Sequence, residues 1–213
     1  MRVKAIMTPF NKLTCIRVDH TVQEALAMID SEELISLPVI EEEQLFVGVL
    51  SKQDMYEEYF NNFTGTREEF LSRKVREFMR TKVETIGENT RIEEAASLFI
   101  HSKVCFIPIT NDSGKLFGIV TQQAVFKEYQ RIFGNKHNSM AIYTYDIKGV
   151  LGKICEQIAK EGGDICNMMV IPTDIMGLAE VFLRVEAPNF GKVVRALVRH
   201  GYDVRDVKYN DQK

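Results

Sequence analysis

The sequence predicts two α/β units in tandem followed by a smaller α+β unit, and three observations carry that expectation. The stretch GVLSKQDMYEEY, from Gly48 to Tyr59, returns seventy positions later as GIVTQQAVFKEY, Gly118 to Tyr129. Around it, VQEALAMI matches IEEAASLF and LISLPVI matches VCFIPIT at the same offset without a gap, so one unit is written twice. After residue 139 the rhythm changes to four apolar runs and two amphipathic stretches with no counterpart upstream.

Each copy reads β-α-β-β-α. Upstream, IMTPFNKLTCIRVD pairs with FMRTKVETIGEN, two residues shorter in the second copy. Val22, Ala25, Leu26 and Ile29 recur at helical spacing, and Ile92, Ala95, Ala96 and Phe99 repeat it, which predicts two equivalent amphipathic helices. A short apolar run centred on Pro38 or Pro108 follows, then a turn (EEEQ or NDSG), then a second apolar run ending near Gly48 or Gly118. The last helix starts at Ser51 or Thr121 and carries Met55, Tyr56 and Tyr59, or Val125, Phe126 and Tyr129. Between the copies, Phe70, Leu71, Phe78 and Met79 predict a bridging helix, and the polar stretch GNKHNS predicts a boundary. The expected organisation is 1–62 and 75–133 for the copies, 63–74 for the bridge, 134–139 for a linker and 140–213 for the last unit.

In that last unit MAIYTYD reads as a strand and GVLGKICEQIAKEGG as a helix. ICNMMVIP and GLAEVFLRVEA read as strands, NFGKVVRALVRHG as a helix and YDVRDVKY as a strand. The order βαββαβ predicts one antiparallel sheet with both helices on one face. The consecutive Met168 and Met169 fall on opposite faces of their strand, which suits core or dimer contact.

Composition narrows the function. With 213 residues, 45% of them hydrophobic, the chain can bury a real core. Lys and Arg number 17 against 20 Asp and Glu before residue 140, and 10 against 10 after it, so neither part is basic and nucleic acid is not an expected partner. No run resembles a signal peptide or the roughly 20 apolar residues of a membrane span, which predicts a cytoplasmic location. Cys15, Cys105, Cys155 and Cys166 lack C-x-x-C spacing and are read as reduced core thiols. His20, His101, His137 and His200 share no ligand spacing. No metal site, cofactor or catalytic nucleophile is therefore expected, and the protein is not read as an enzyme.

One motif carries chemistry. In G-h-h-[ST]-x-x-D, with h apolar, Gly48 permits close backbone approach and Ser51 starts a helix whose free N–H groups favour negative charge. Asp54 lies three residues on, and its carboxylate can accept from the adjacent hydroxyls of a ribose. The same Ser-x-x-Asp pattern is also a capping box, and both readings stand at this point. The second copy keeps Thr121 but has Ala124 in place of the carboxylate. Lys12, Lys52, Arg80, His101 and Lys103 are cations that would reach a phosphate, and each reads equally well as a surface residue.

The stretch IMTPF…TVQEALAMI…LISLPVI…GVLSKQDM resembles a cystathionine-β-synthase (CBS) domain, and residues 1 to 133 resemble a pseudo-symmetric CBS pair. That resemblance implies an adenosine-type ligand, AMP, ADP, ATP or S-adenosylmethionine, in clefts between the copies. The residues it implies are Leu37, Pro38, Val39, Gly48, Ser51 and Asp54 from one copy, with Ile107, Pro108 and Thr121 from the other. The stretch YDIKGVLGKICEQIAKEGGDI resembles the start of an ACT domain, a ferredoxin-like fold, with Asp146, Gly149, Val150 and Leu151 at its effector turn. It implies dimerisation and binding of a small acid there, although Gly149 is equally explained by the turn itself. The whole order resembles the bacterial acetoin-utilisation CBS-ACT proteins. What this implies is a homodimeric, non-catalytic sensor that controls acetoin or related carbon catabolism through an unnamed protein target. The alternative is a scaffold whose clefts are vestigial.

Overall fold

The structure is a computed structural model that describes residues 1–102, 104–134, 137–145 and 148–210. The chain divides into two compact units, Met1–Glu128 and Tyr129–Lys213. The division falls inside a helix, a few residues ahead of the expected linker, of which Asn135 and Lys136 lie outside the described residues.

The first unit opens with β1 (Thr8–Pro9) and β2 (Ile16–Arg17). Helix α1 (Val22–Ser31) starts at Thr21 with a full capping box: the Thr21 hydroxyl accepts from Glu24 N–H, and the Glu24 carboxylate accepts from Thr21 N–H at 2.7 Å. Its Val22, Ala25 and Ile29 are buried, as the apolar spacing predicts. β3 (Ser36–Ile40) and β4 (Phe46–Ser51) form an antiparallel hairpin, and β2 adds to β3 in parallel at Ile16–Val39. Pro38 is tolerated on this central strand because the β2 ladder begins only at Val39.

Helix α2 (Lys52–Asn61) follows directly, and α3 (Arg67–Ser72) bridges to the second copy. The bridging helix is shorter than expected: it ends at Ser72, and Phe78 and Met79 lie beyond it. Phe70 nonetheless packs on Tyr59, Phe63 and Phe78 with ring centroids 5.0–5.2 Å apart, closing the core of the first copy.

The second copy repeats the plan with α4 (Ile92–His101), β5 (Phe106–Thr110), β6 (Leu116–Thr121) and α5 (Gln122–Phe133). Ile86 bridges Ile109 in parallel, as Ile16 does Val39. The opening segment of each copy crosses to the sheet of the other. Thr8 and Pro9 pair with Ile119 and Gly118 of β6, while Arg80 pairs with Val49 of β4 through two backbone hydrogen bonds of 2.8 and 3.0 Å.

The second unit contains β7 (Asn138–Tyr145), α6 (Val150–Lys160), β8 (Asp164–Pro172), β9 (Leu178–Glu186), α7 (Phe190–Arg199) and β10 (Asp203–Lys208). Its strands form one antiparallel sheet in the order β10-β7-β9-β8, as the βαββαβ pattern requires. Ile154, Ile158, Phe190, Val193 and Leu197 of the helices share a core with Met140, Ile142, Val181, Leu183 and Val185 of the sheet.

The cysteines depart from expectation. Cys105 and Cys166 are exposed, Cys15 and Cys155 are half-buried, and all four are free thiols. An apolar neighbourhood in sequence does not bury a residue that stands at a strand start or in a bulge. Met168 is exposed and Met169 half-buried on edge strand β8.

Candidate functional site

The motif residues gather where the two copies meet in the first unit. Gly48 lies within β4 rather than at its end, and its lack of a side chain has a direct cause. A Cβ there would stand 2.6 Å from the carbonyl oxygen of Arg80. Gly118 repeats this: its Cβ would stand 2.4 Å from the carbonyl oxygen of Thr8. Both glycines therefore admit the crossing segment of the chain itself.

Ser51 ends β4 and caps α2, its hydroxyl accepting from the backbone N–H of Asp54 at 3.0 Å. Only this half of the anticipated capping box is recorded at Ser51. The Asp54 carboxylate turns instead to Arg80, which donates from Nε at 2.6 Å and from a terminal nitrogen at 2.8 Å. This fork-to-fork pair raises the pKa of Arg80, chiefly through its hydrogen bonds to Asp54. Asp54 is the more sheltered partner, its side chain 20% exposed against 46% for Arg80. Half-exposed pairs contribute little stability, so the pair's main effect is to set the charge and shape of the cleft.

The internal symmetry explains the missing carboxylate. With the two-residue deletion counted, Arg80 corresponds to Thr8 and Asp54 to Ala124. The copies thus differ at both partners together: one has a cation facing its carboxylate, the other has neither. Thr121 keeps the cap, accepting from Ala124 N–H at 3.1 Å.

A small, partly open cavity of about 60 Å³ lies at this junction, lined by Ile35, Ser36, Val49, Ser51, Gln53 and Arg80 together with Val83, Val104, Cys105 and Phe106. On the other side of Arg80 is an open cleft of about 480 Å³ lined by Asp54, Glu57, Glu58, Asn61, Asn62 and Glu77 to Arg80. Arg80 borders both. The structure thus brings together Ser51, Asp54 and Arg80, with Gly48 beneath them. Leu37, Val39 and Ile107 are instead core side chains, since alternate positions of β3 and β5 face inward, and Ile35, Ser36 and Phe106 take their place on the wall. Pro38 and Pro108 sit mid-strand, and Thr121 lies outside that wall. Of the other cations, Lys52 pairs with Asp30, and Lys103 lies outside the described residues. Arg80 is one of five cations that the sequence offers for a phosphate, and its partnership with Asp54 is a tertiary contact across 26 positions.

In the second unit Gly149 adopts φ 85° at the N-cap of α6, a conformation open to glycine, and a Cβ there would meet nothing within 4 Å. The turn thus accounts for this residue. Val150 and Leu151 are half-buried against the core, and Asp146 lies outside the described residues. A cavity of about 620 Å³ opens beside the turn, with Lys148, Lys153, Lys160 and His200 among its lining groups and Glu156 as the carboxylate. No helix among the described residues is long and apolar enough to cross a membrane.

Comparison with known proteins places these features in context. The CBS domain profile matches residues 3–61 and 75–131. An uncharacterized protein of Methanocaldococcus jannaschii, MJ1004, is 22% identical over 200 residues, 92% of this chain and 86% of that one. Inosine-5'-monophosphate dehydrogenase of Aquifex aeolicus is 27% identical over 113 residues, and the chain spans only 21% of that enzyme's length. The crystal structure of CBSX2 in complex with AMP superposes with a TM-score of 0.56 at 27% identity, covering 62% of this chain and 98% of that one.

Proposed function

The chain belongs to the CBS-domain family, and from that premise we propose that it is a non-catalytic sensor whose first cleft binds an adenosine-type nucleotide. The observation that carries this reading is the Asp54–Arg80 pair at the N-terminus of α2, whose arginine borders the cavity between the copies and whose carboxylate lines the adjoining cleft. A carboxylate holds more acceptor positions than one guanidinium uses, so Asp54 can take the ribose diol. Arg80, once displaced from it, supplies a cation for phosphate, and the free N–H groups at the start of α2 favour the same charge. The AMP complex of the similar CBSX2 supports this choice of ligand.

The cavity of about 60 Å³ is far smaller than the roughly 300–1,000 Å³ of ordinary ligand sites. Binding therefore requires Arg80 to swing aside and join the 60 and 480 Å³ spaces that it separates. The second cleft, with Ala124 and Thr8, lacks both charged groups and is assigned no nucleotide. The small size of this cavity is also what favours the alternative, a scaffold acting through a protein partner. AMP, ADP, ATP and S-adenosylmethionine are the ligands to titrate.

Calorimetry with AMP and adenosine separates the readings. Asp54→Ala weakens both by about ten- to a hundredfold, the equivalent of charge-assisted hydrogen bonds of roughly 1.5 to 3 kcal/mol. Arg80→Ala weakens AMP more than adenosine. Unchanged AMP affinity in Asp54→Ala, or no binding to the unaltered chain, would leave the scaffold.

The second unit is assigned as an ACT domain, and the cation-lined space beside Gly149 as its small-acid site. The chain is assigned as a cytoplasmic homodimer. Tyr56 and Phe126 occupy equivalent positions on α2 and α5 and are 45% and 70% exposed, and edge strand β8 exposes Met168, Val170 and Ile171. Apolar positions repeated by internal symmetry suit a two-fold partner. Control of acetoin or related carbon catabolism rests on the likeness of domain order described above.

A further inference from the structure

The second unit gathers three metal-binding side chains that the nucleotide reading does not use. His137 stands one residue before β7, Cys166 lies on β8 and Glu186 ends β9, and their donor atoms all lie within 4.8 Å of one another. Sequence spacing shows nothing of this, since the three are 29 and 20 positions apart along the chain. Sheet register produces it.

β9 lies between β7 and β8. On one side Asn138 pairs with Val185, which sets His137 alongside Glu186. On the other, Asp164 pairs with Glu186 and Ile165 with Val185. A regular ladder would next oppose Cys166 to Arg184, but Asn167 takes that place, so Cys166 is the extra residue of a β-bulge. Ile165 and Val185 turn to the core shared with the helices. Strand alternation therefore puts Cys166 on the opposite side, where Asp164 and Glu186 also stand. The bulge keeps a thiol at the exposed end of the sheet, next to a carboxylate and an imidazole.

We propose that His137, Cys166 and Glu186 bind one divalent transition metal of the zinc class, with a fourth position open to water or a small anion. Imidazole nitrogen, thiolate and carboxylate together suit such a borderline-soft ion, whereas calcium and magnesium take oxygen ligands. At zinc bond lengths of about 2.0–2.3 Å, tetrahedral ligands stand roughly 3.4–3.6 Å apart. The three donors need close in by no more than about 1.4 Å, which rotation of the exposed Cys166 and Glu186 side chains supplies. Asp164, opposite Glu186, adds negative charge beside the site. Arg184, the cation next in register on that face, has its guanidinium 5.4 Å over the Phe182 ring. Because the ligands come from three strand ends, loading ties β7, β8 and β9 together and stabilises the unit.

The test uses the full chain, stripped with a chelator and kept reduced with a phosphine. Equilibrium dialysis against zinc gives about one ion per chain. Cobalt in its place gives thiolate-to-metal charge-transfer absorption and the strong visible bands of a four-coordinate site. Cys166→Ser removes the charge-transfer absorption and weakens zinc by about tenfold or more, and His137→Ala and Glu186→Gln weaken it comparably. Cys105→Ser, which alters the other exposed thiol, changes nothing. Charge-transfer absorption that survives Cys166→Ser, zinc binding indifferent to all three substitutions, or no binding at micromolar zinc would each overturn the site.

Discussion

Replacing Gly48 by alanine tests whether that glycine serves the crossing chain, as the geometry requires, or only a ligand's approach. The added Cβ would stand 2.6 Å from the Arg80 carbonyl oxygen, 3.3 Å from its carbonyl carbon and 3.4 Å from the Met79 sulfur. Ordinary contact begins near 3.4 Å, so the overlap with the oxygen is close to 0.8 Å and involves backbone on both sides. Relief requires the segment at Arg80 to part from β4, which strains or breaks both Val49–Arg80 hydrogen bonds. At about 0.5–1.5 kcal/mol for each bond, with local strain added, the cost is roughly 2–4 kcal/mol. The same displacement carries Arg80 away from Asp54, so nucleotide affinity falls as well. Urea unfolding of the two proteins reads the stability, and calorimetry with AMP reads the affinity. Gly118→Ala, with 2.4 Å to the Thr8 carbonyl oxygen, should match the stability loss without the loss of affinity. A cost below about 0.5 kcal/mol for Gly48→Ala would refute the account, because surface substitutions free of any clash fall in that range.

Acid stability should report the capping box of α1. The Glu24 carboxyl is held below its ordinary value first by the Thr21 N–H and then by the Thr21 hydroxyl. Its contribution is therefore fully present above the unfolded carboxylate pKa and is lost as pH falls through the lower folded value. Glu24→Gln should flatten that part of the stability–pH curve; an unchanged slope would refute the assignment. The thiols should separate by reactivity. Burial pushes Cys15 up to about 11, leaving almost no thiolate at pH 8, whereas Cys105 and Cys166 are exposed. Mass mapping after brief alkylation should find Cys15 the least modified of these three, and zinc should protect Cys166 alone.

Most elements and their order are legible in local patterns, the bridging helix being the one overextended, since it ends at Ser72. The duplication, the helical spacing from Val22 to Ile29, the Ser51 and Thr121 helix starts and the βαββαβ rhythm are local patterns, written within a few residues of where they act. The role of Asp54 was legible only as two alternatives, ribose acceptor or capping box, since a Ser-x-x-Asp stretch does not record what approaches from 26 positions away. Tertiary structure decided that the carboxylate turns to Arg80, that Gly48 and Gly118 make room for crossing chain, and that Leu37, Val39 and Ile107 face the core rather than the cleft. It also decided that His137, Cys166 and Glu186 meet. The physical reason is register: the pairing of β9 with β7 and with β8 sets which side chains stand side by side, and no local propensity encodes the partner strand.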